Sequence, residues 1–405
     1  MNLQLRQVEE LPDVTIYTDT REILRASRAD AVRRGYSDWL IVDVDAHHVE
    51  TVSWSQIVRH IEDPVLREQA LLWYEERAGG SPYGLAGDFG LRYQDCGGRI
   101  PHQADQREKV EPSSLHRDVI LTRRAMEGLG ADYMVVFPNS MLLIGLHPQL
   151  EMEVALTNAY NAWVSSNLLT QDDGIRALAL LPFNSPEAAC RTVEKYANND
   201  RVIGFCITST RHRPVHANEY MKLYRMIEET GKPVAFHAAY HWQDPSLATI
   251  PSFLGMHALG FVWCNMVHLT NWILNGIPEK FPKLKSIWIE SGLAWIPFLM
   301  QRLDDQFIMR QSEAPLLKRL PSDYIREHCW FTSQPMEKSN MEALEVTMKM
   351  IKAETQLLYS SDWPHFDFDT PSTIFDLKFL SENARRNILG GNAQRLFNLP
   401  NRRKV

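Results

Sequence analysis

The sequence predicts an α/β fold in which eight parallel strands alternate with helices and close into a (β/α)8, or TIM, barrel, and three observations carry that prediction. Eight short apolar runs recur along the chain. Most are followed by a stretch with apolar residues at i, i+3, i+4 and i+7, the period of a helix with one buried face. Each run is near-continuously apolar, β-branched or aromatic, as parallel strands covered on both faces must be. The 405 residues are 44% hydrophobic and 23% charged, enough for a large core. A barrel of this kind uses about 250 residues, which leaves room for an extension and an insertion.

From the N-terminus, residues 1–37 read as a helical extension, because Ile23, Leu24, Ala26, Ala29 and Val32 fall at helical spacing. It is expected to cap the bottom of the barrel or a partner subunit. The barrel is expected over 38–398, with strands at 38–47 (DWLIVDVDAH), 131–138 (ADYMVVFP), 175–183 (IRALALLPF), 201–208 (RVIGFCIT), 232–238 (KPVAFHA), 284–290 (LKSIWIE), 327–333 (EHCWFTS) and 355–363 (TQLLYSSDW). A helix over 153–169 turns Val154, Ala155, Ala159, Ala162 and Trp163 toward the sheet. Ser185-Pro186-Glu187 opens another, with a capping hydroxyl, a proline in the first turn and an acid near the positive helix end; Thr370-Pro371-Ser372 is similar. The alternation breaks at 48–130, where GGSPYGLAGDFGLRYQDCGGRIPHQAD far exceeds an ordinary loop after a strand. Because this insertion follows the first strand, it is expected to lie as a lid over the C-terminal mouth, where such barrels place their active sites.

Several function classes lose support at once. The net charge of -7 comes from well-mixed acids and bases with no basic, aromatic-interleaved block, so nucleic acid is not an expected partner. Five scattered cysteines without a C-x-x-C pair argue against a disulfide framework and a thiolate zinc site. An early acidic N-terminus and the lack of long apolar runs lead us to expect a cytoplasmic chain without membrane contact. No phosphate-cradling glycine motif and no G-x-S-x-G turn follows a strand.

The chemistry-bearing residues collect at the ends of the runs. The first ends in Asp43-Val44-Asp45-Ala46-His47-His48-Val49-Glu50, the fifth in His237, the sixth in Glu290 and the eighth in Asp362. Residues i and i+2 of a strand share a face, so Asp43, Asp45 and His47 are expected in one inward file. Burying several carboxylates at one rim is costly unless a cation neutralises them. Oxygen and imidazole donors suit a divalent Zn, Mn or Fe ion, with one or two ions held by Asp45, His47, His237, Asp362 and Glu290. Around them Asp43 is expected to orient His47, with Glu50 in the same supporting layer, and His365 to contact substrate. Arg92, Arg99 and Arg302 are candidates to pair with a substrate carboxylate, and Trp295, Trp363 and Phe366 to wall an aromatic ring.

The phrases D-x-D-x-H-x-x-E (Asp43 to Glu50), FHA (236–238), FPKLKSIWIESGLAWIPFLMQRLD (281–304) and SSDWPHFDFD (360–369) resemble the amidohydrolase-related branch of the amidohydrolase superfamily, which includes aminocarboxymuconate semialdehyde decarboxylase and the dihydroxybenzoate decarboxylases. The resemblance covers roughly 38–398. It implies a barrel holding a divalent metal on Asp45 and His47 of the first strand, His237 of the fifth and Asp362 of the eighth. Two positions depart from the superfamily: Asp45-x-His47 stands where His-x-His is frequent, and Glu290 where many relatives carry a histidine.

Such a site supports two chemistries. In hydrolysis, metal-activated water attacks while Asp362 serves as general base and acid, with Glu290 and His365 beside it. In non-oxidative decarboxylation, Asp362 protonates the carbon that loses carbon dioxide. Hydrolysis of a small carboxylated or aromatic substrate is the first expectation, because Glu290 adds negative charge where an anionic substrate would approach. A non-catalytic small-molecule-binding barrel is the remaining alternative. A homo-oligomer is also expected, paired through the helical extension and the Met-rich segment 336–350.

Overall fold

The computed structural model describes residues 20–76, 110–208, 213–239, 244–250, 252–365 and 367–401. Its strands are β1 (Val42–His48), β2 (Tyr133–Pro138), β3 (Ile175–Leu180), β4 (Val202–Thr208), β5 (Val234–His237), β6 (Ser286–Ile289), β7 (Cys329–Thr332) and β8 (Leu357–Leu358). They pair in parallel in chain order. The ring closes where Val44 N–H donates to the Tyr359 carbonyl at 3.0 Å, Asp362 N–H to Asp45 at 2.8 Å and His47 N–H to Trp363 at 2.6 Å. Every strand residue except Trp330 is buried, which is why the strands read as unbroken apolar runs rather than as alternation.

All eight expected strands are present, each shorter than its run. The eighth shrinks most, because past Leu358 the backbone leaves the ladder: Ser360 N–H donates to the Ser333 hydroxyl and Ser361 N–H to the Asp43 carboxylate. In β1 the register against β2 shifts between Asp43 and Ala46, a bulge that breaks the expected Asp43-Asp45-His47 file.

The principal helices are α1 (Thr20–Arg33), α2 (Arg117–Leu129), α3 (Leu150–Asn167), α4 (Pro186–Tyr196), α5 (Met221–Thr230), α6 (Phe253–Leu274), α7 (Trp295–Met309) and α8 (Met341–Met350). Residues 48–130 are less irregular than expected. They include a 3-10 turn at Glu50–Ser53, helices at Trp54–Val58 and Pro64–Glu76, and α2, the helix between β1 and β2. The Gly-rich part of that segment lies outside the described residues, as do Arg92 and Arg99. Helix α1 packs on α2, against the end that leads into β2. A Cβ on Gly128 of α2 would sit 3.0 Å from Leu24 Cδ2, a contact tight enough that Leu24 would have to shift. The α1 face is also narrower than expected: Ile23 and Leu24 are half-buried, but Val32 is 80% exposed. In α3 the buried stripe runs through Met152, Leu156, Tyr160, Trp163 and Val164, with Val154 and Ala155 at its margin.

Candidate metal centre

Five of the expected donors arrive at one buried point. Asp45 and His47 come from β1, His237 ends β5, Glu290 follows β6 and Asp362 follows β8; each is at most 4% exposed. His47 Nε2 lies 3.4 Å from Asp45 Oδ1, 3.1 Å from Asp362 Oδ1 and 3.9 Å from Glu290 Oε2. His237 Nε2 lies 3.3 Å from Asp45 Oδ1 and 3.6 Å from Glu290 Oε2. Donor atoms of Asp45, His47, His237 and Glu290 all fall within 4.8 Å of one another, and His47 belongs also to a second such group with Asp362 and His365.

Both ligand histidines are turned by backbone. His47 Nδ1 donates to the Pro138 carbonyl at 3.2 Å and His237 Nδ1 to the Ala238 carbonyl at 3.1 Å, since a carbonyl only accepts. That assigns the Nε2 lone pairs to the shared centre. Asp43 does not orient His47. Its carboxylate is spent on Asp45 N–H, Ser361 N–H and the Ser361 hydroxyl, because the β1 bulge carries it off the His47 file. Burial pushes it up to about 7 against those hydrogen bonds. Glu50 does support the rim: its carboxylate accepts from Asn139 and Met141 N–H at 2.9 and 2.7 Å, pinning the chain as it leaves β2.

The cluster's donor chemistry fits a divalent cation. Both Asp45 carboxylate oxygens, His237 Nε2, Glu290 Oε2 and Asp362 Oδ2 are buried without a well-formed hydrogen bond, a costly arrangement that a bound cation relieves. Burial, with the Asp362 and Asp45 carboxylates, pushes Glu290 well above the usual carboxylate range. Burial works against Asp45 and Asp362 too, but His237 and His47 around the first, and His365 and His47 around the second, override it and hold both low. For His47, burial lowers the value, and Asp362 and Asp45 more than reverse this.

Two of these residues sit on left-handed backbone, Glu290 at φ 49° and Asp362 at φ 63°. Non-glycine residues adopt that region at a cost and need surroundings that impose it. For Glu290 the surroundings are explicit. Its N–H donates to Thr332 Oγ1 at 3.0 Å, and Asn265 on α6 donates from Nδ2 to the Ile289 carbonyl and the Ser291 hydroxyl, the residues on either side.

His365 is buried and donates from Nδ1 to Asp362 Oδ1 at 2.7 Å, while the Asn139 amide stands 2.9 Å from its Nε2. It therefore contacts a proposed ligand rather than only lining the mouth. The aromatic and basic candidates fare differently. Trp295 is buried, with its indole N–H donated to the Gly292 carbonyl and its ring edge-on to Phe331, so it packs the turn into α7. Trp363 lines a cavity with Leu24 of α1 and Leu121 of α2, on the far side of the wall from the cluster. Arg302 is exposed on α7. Phe366 lies outside the described residues. The sequence reading missed Asn139, Asn265, Thr332 and Ser361; of these only Asn139, one residue past the end of β2, carried a positional signal.

A family model described as amidohydrolase matches residues 130–399. The chain belongs to the amidohydrolase family. As an amidohydrolase it is an enzyme of that superfamily, and its eight-stranded barrel is the architecture the resemblance implied. It is 26% identical over 287 residues to a gamma-resorcylate decarboxylase of Polaromonas sp., covering 68% of this chain and 86% of the relative. Among solved structures, the 5-carboxyvanillate decarboxylase of Sphingomonas paucimobilis superposes with a TM-score of 0.64 at 19% identity, covering 89% of this amidohydrolase and all of that chain. A dihydroxybenzoic acid decarboxylase of Polaromonas sp., solved with manganese and 2-nitroresorcinol, gives 0.61 at 20% identity, covering 89% and 97%.

Proposed function

We propose that this amidohydrolase is a metal-dependent, non-oxidative decarboxylase of a hydroxylated aromatic acid, the second of the two chemistries expected from the sequence. The observation that carries the reading is the convergence of Asp45, His47, His237 and Glu290 on one buried point, with Asp362 joined to it through His47, together with curated relatives whose names are gamma-resorcylate decarboxylase. The argument that favoured hydrolysis weakens, because burial and the neighbouring carboxylates push the Glu290 carboxyl up and so reduce the charge it sets against an anionic substrate.

Asp45, His47, His237 and Asp362 would hold the ion, with manganese favoured by its presence in a structural neighbour. A divalent ion bound there supplies positive charge that draws a carboxylate and an adjacent ring oxygen. The remaining work falls to side chains. Asp362 Oδ1 is engaged by His365 and His47, which leaves Oδ2 to carry a proton toward the ring carbon that loses carbon dioxide. Because His365 and His47 hold this carboxyl low, it rests ionised and must take a proton from water before passing it to the ring carbon, which accepts it as the bond to carbon dioxide breaks. His365, braced by Asn139, fixes the carboxylate's orientation.

The test is incubation of the manganese-loaded enzyme with a panel of hydroxybenzoates in D2O, and in parallel with amides, lactones and thioesters. Carbon dioxide release with one deuterium at the vacated ring position is expected. Cleavage of the second panel with no carbon dioxide from the first would return the reading to hydrolysis.

A further inference from the structure

Among the described residues, Gln334 Oε1 and Asp367 Oδ1 are buried oxygens without a hydrogen-bond partner, and neither takes part in the proton transfer. Both belong to the mouth of the barrel. Gln334 lies two residues past the end of β7, and Asp367 five past Asp362. The two side chains face each other: Gln334 Nε2 donates to Asp367 Oδ2 at 3.4 Å and to the Asp367 carbonyl at 3.5 Å. Since both of those atoms accept, the amide turns its NH2 toward them and Oε1 is the end left over. Gln334 is 1% exposed, so bulk water does not supply the missing donor. Although 27% of the Asp367 side chain is exposed, Oδ1 is not; Oδ2 also lies 3.9 Å from His257 Nε2 on α6, which leaves Oδ1 as the uncommitted end of the carboxylate. Both groups are held from behind. Gln334 N–H donates to Ser360 Oγ at 2.9 Å, and the turn carrying Asp367 is tied by Asp369 N–H to the Ser361 carbonyl at 2.8 Å and by Lys338 to Asp369 at 2.7 Å. Asp367 is close enough to the metal centre to push Glu290 further up, while burial and the Asp362 carboxylate push Asp367 itself up to about 7.

We propose that Gln334 and Asp367 set substrate specificity by accepting a hydrogen bond from a hydroxyl on the aromatic ring, at a position other than the one beside the departing carboxylate. The inference rests on the decarboxylase reading for the ring and on the orphaned acceptors for the hydroxyl. Buried acceptors short of a donor discriminate strongly, because one substrate pairs them and another leaves them unpaired. A hydroxyl or an amine meets these oxygens with a proton. A methyl ether presents only lone pairs there, which should cost roughly tenfold to a hundredfold in affinity. The ring oxygen beside the carboxylate is drawn to the ion, so the hydroxyl sensed by the pair is a second one. A hydrogen bond between the loops after β7 and β8 would by itself brace the mouth, and a brace treats all ligands alike. Asp367→Asn separates the two roles. Gln334 Nε2 keeps an amide oxygen at the Oδ2 position, which puts NH2 where Oδ1 was and turns an acceptor into a donor.

The experiment is calorimetric titration of the manganese-loaded full chain with dihydroxynitrobenzenes, in which a nitro group stands in for the carboxylate and no carbon dioxide can leave. Each isomer that keeps a hydroxyl beside the nitro group is compared with the analogues whose second hydroxyl is methylated or replaced by an amine. For at least one isomer the wild type should bind the hydroxyl and amine forms roughly tenfold to a hundredfold more tightly than the ether. Asp367→Asn should abolish or reverse that preference, and Gln334→Met should reduce it about threefold or more. If Gln334→Met folds poorly, the isosteric Asp367→Asn decides. A preference that persists while both affinities fall is the mark of a brace and would overturn the assignment, as would a wild type that binds none of the compounds or shows no preference for the hydroxyl. Carbon dioxide release from the hydroxybenzoates is scored alongside. Its absence, with the preference lost in Asp367→Asn, upholds the assignment and overturns the decarboxylase reading; its presence, with the preference unchanged in both variants, does the reverse.

Discussion

Stripping the metal should alter both the stability of the protein and the sign of its pH dependence. Asp45, Glu290 and Asp362 bring three carboxylates to one buried point. A ligand bound only to the folded state at one hundred times its dissociation constant stabilises by about 2.7 kcal/mol. For a chain of some 400 residues, unfolding entropy near 2.1 cal/mol/K per residue gives roughly 0.8 kcal/mol/K, so chelation should lower the melting temperature by about 3–4 °C. In the metal-free protein Glu290 and His47 both have raised values. Each binds its proton more tightly folded than unfolded, so their contribution is present at low pH and is lost as pH rises from 4.5 for Glu290, or 6.5 for His47, through the raised folded value. A metal competes with those protons, so at fixed free manganese its stabilising increment should grow from pH 6 to pH 8. Differential scanning calorimetry with EDTA and with buffered manganese measures both slopes. A melting temperature indifferent to EDTA and to millimolar Mn, Zn and Fe at pH 8 would refute the metal centre.

Three further outcomes follow from single side chains. Asp362→Asn should keep the fold and the metal but reduce kcat by 10²–10⁴, the usual range for a lost proton-transfer group; near-normal turnover would remove Asp362 from that role. Asn265→Ala leaves the Ile289 carbonyl and Ser291 hydroxyl short of a donor, which should cost about 1–3 kcal/mol. Calorimetric titration should also show weaker metal binding, and unchanged melting together with unchanged affinity would show that Asn265 does not hold Glu290. Glu153, buried in α3 and bonded to Asn184, has a value raised by desolvation that Asn184 only partly offsets. Wild-type stability should therefore fall as pH rises from 4.5 through the raised folded value. Glu153→Gln should flatten that limb, which thermal melts across pH 4–8 will measure.

The fold was legible because parallel strands buried on both faces leave a continuous apolar signal, and because the polar residues that end those runs sit at the mouth. Asp45, His47, His237, Glu290 and Asp362 all announce themselves in this way. Trp363 was misplaced because Asp362 before it takes left-handed backbone beyond the end of β8, where strand phase no longer tells which way a side chain points. The bulge in β1 was not legible, since nothing in Asp43-Val44-Asp45-Ala46 distinguishes a two-residue period from one with an extra residue, and it is the bulge that separates Asp43 from His47. Asn265 was silent, and Asn139 offered only its position, for another reason. An amide is unremarked in a loop or a helix, and its role lies in partners far away in sequence, 226 residues for Asn139 and His365.

Glu290 stands where the family resemblance led us to expect a histidine, and its backbone explains how it is accommodated. A left-handed glutamate persists only where its surroundings over-determine it, and here Thr332 from β7 grips its N–H while Asn265 from α6 grips both neighbours. The side chain is thereby directed to within 3.6 Å of His237 and 3.9 Å of His47. Burial and the Asp362 and Asp45 carboxylates push its carboxyl well above the usual carboxylate range. A neutral carboxyl has a hydrogen to donate, which an imidazole bound to metal through Nε2 would not direct to the same place. A glutamate here that keeps its proton beside the bound metal would offer an anionic substrate a hydrogen bond instead of repelling it. Glu290→Gln keeps a donor of similar shape and should retain substrate affinity, while Glu290→Asp shortens the reach by one methylene and should raise KM more than it lowers kcat. Steady-state kinetics on the best hydroxybenzoate compares the two, and an affinity loss in Glu290→Gln as large as in Glu290→Asp would count against the neutral form.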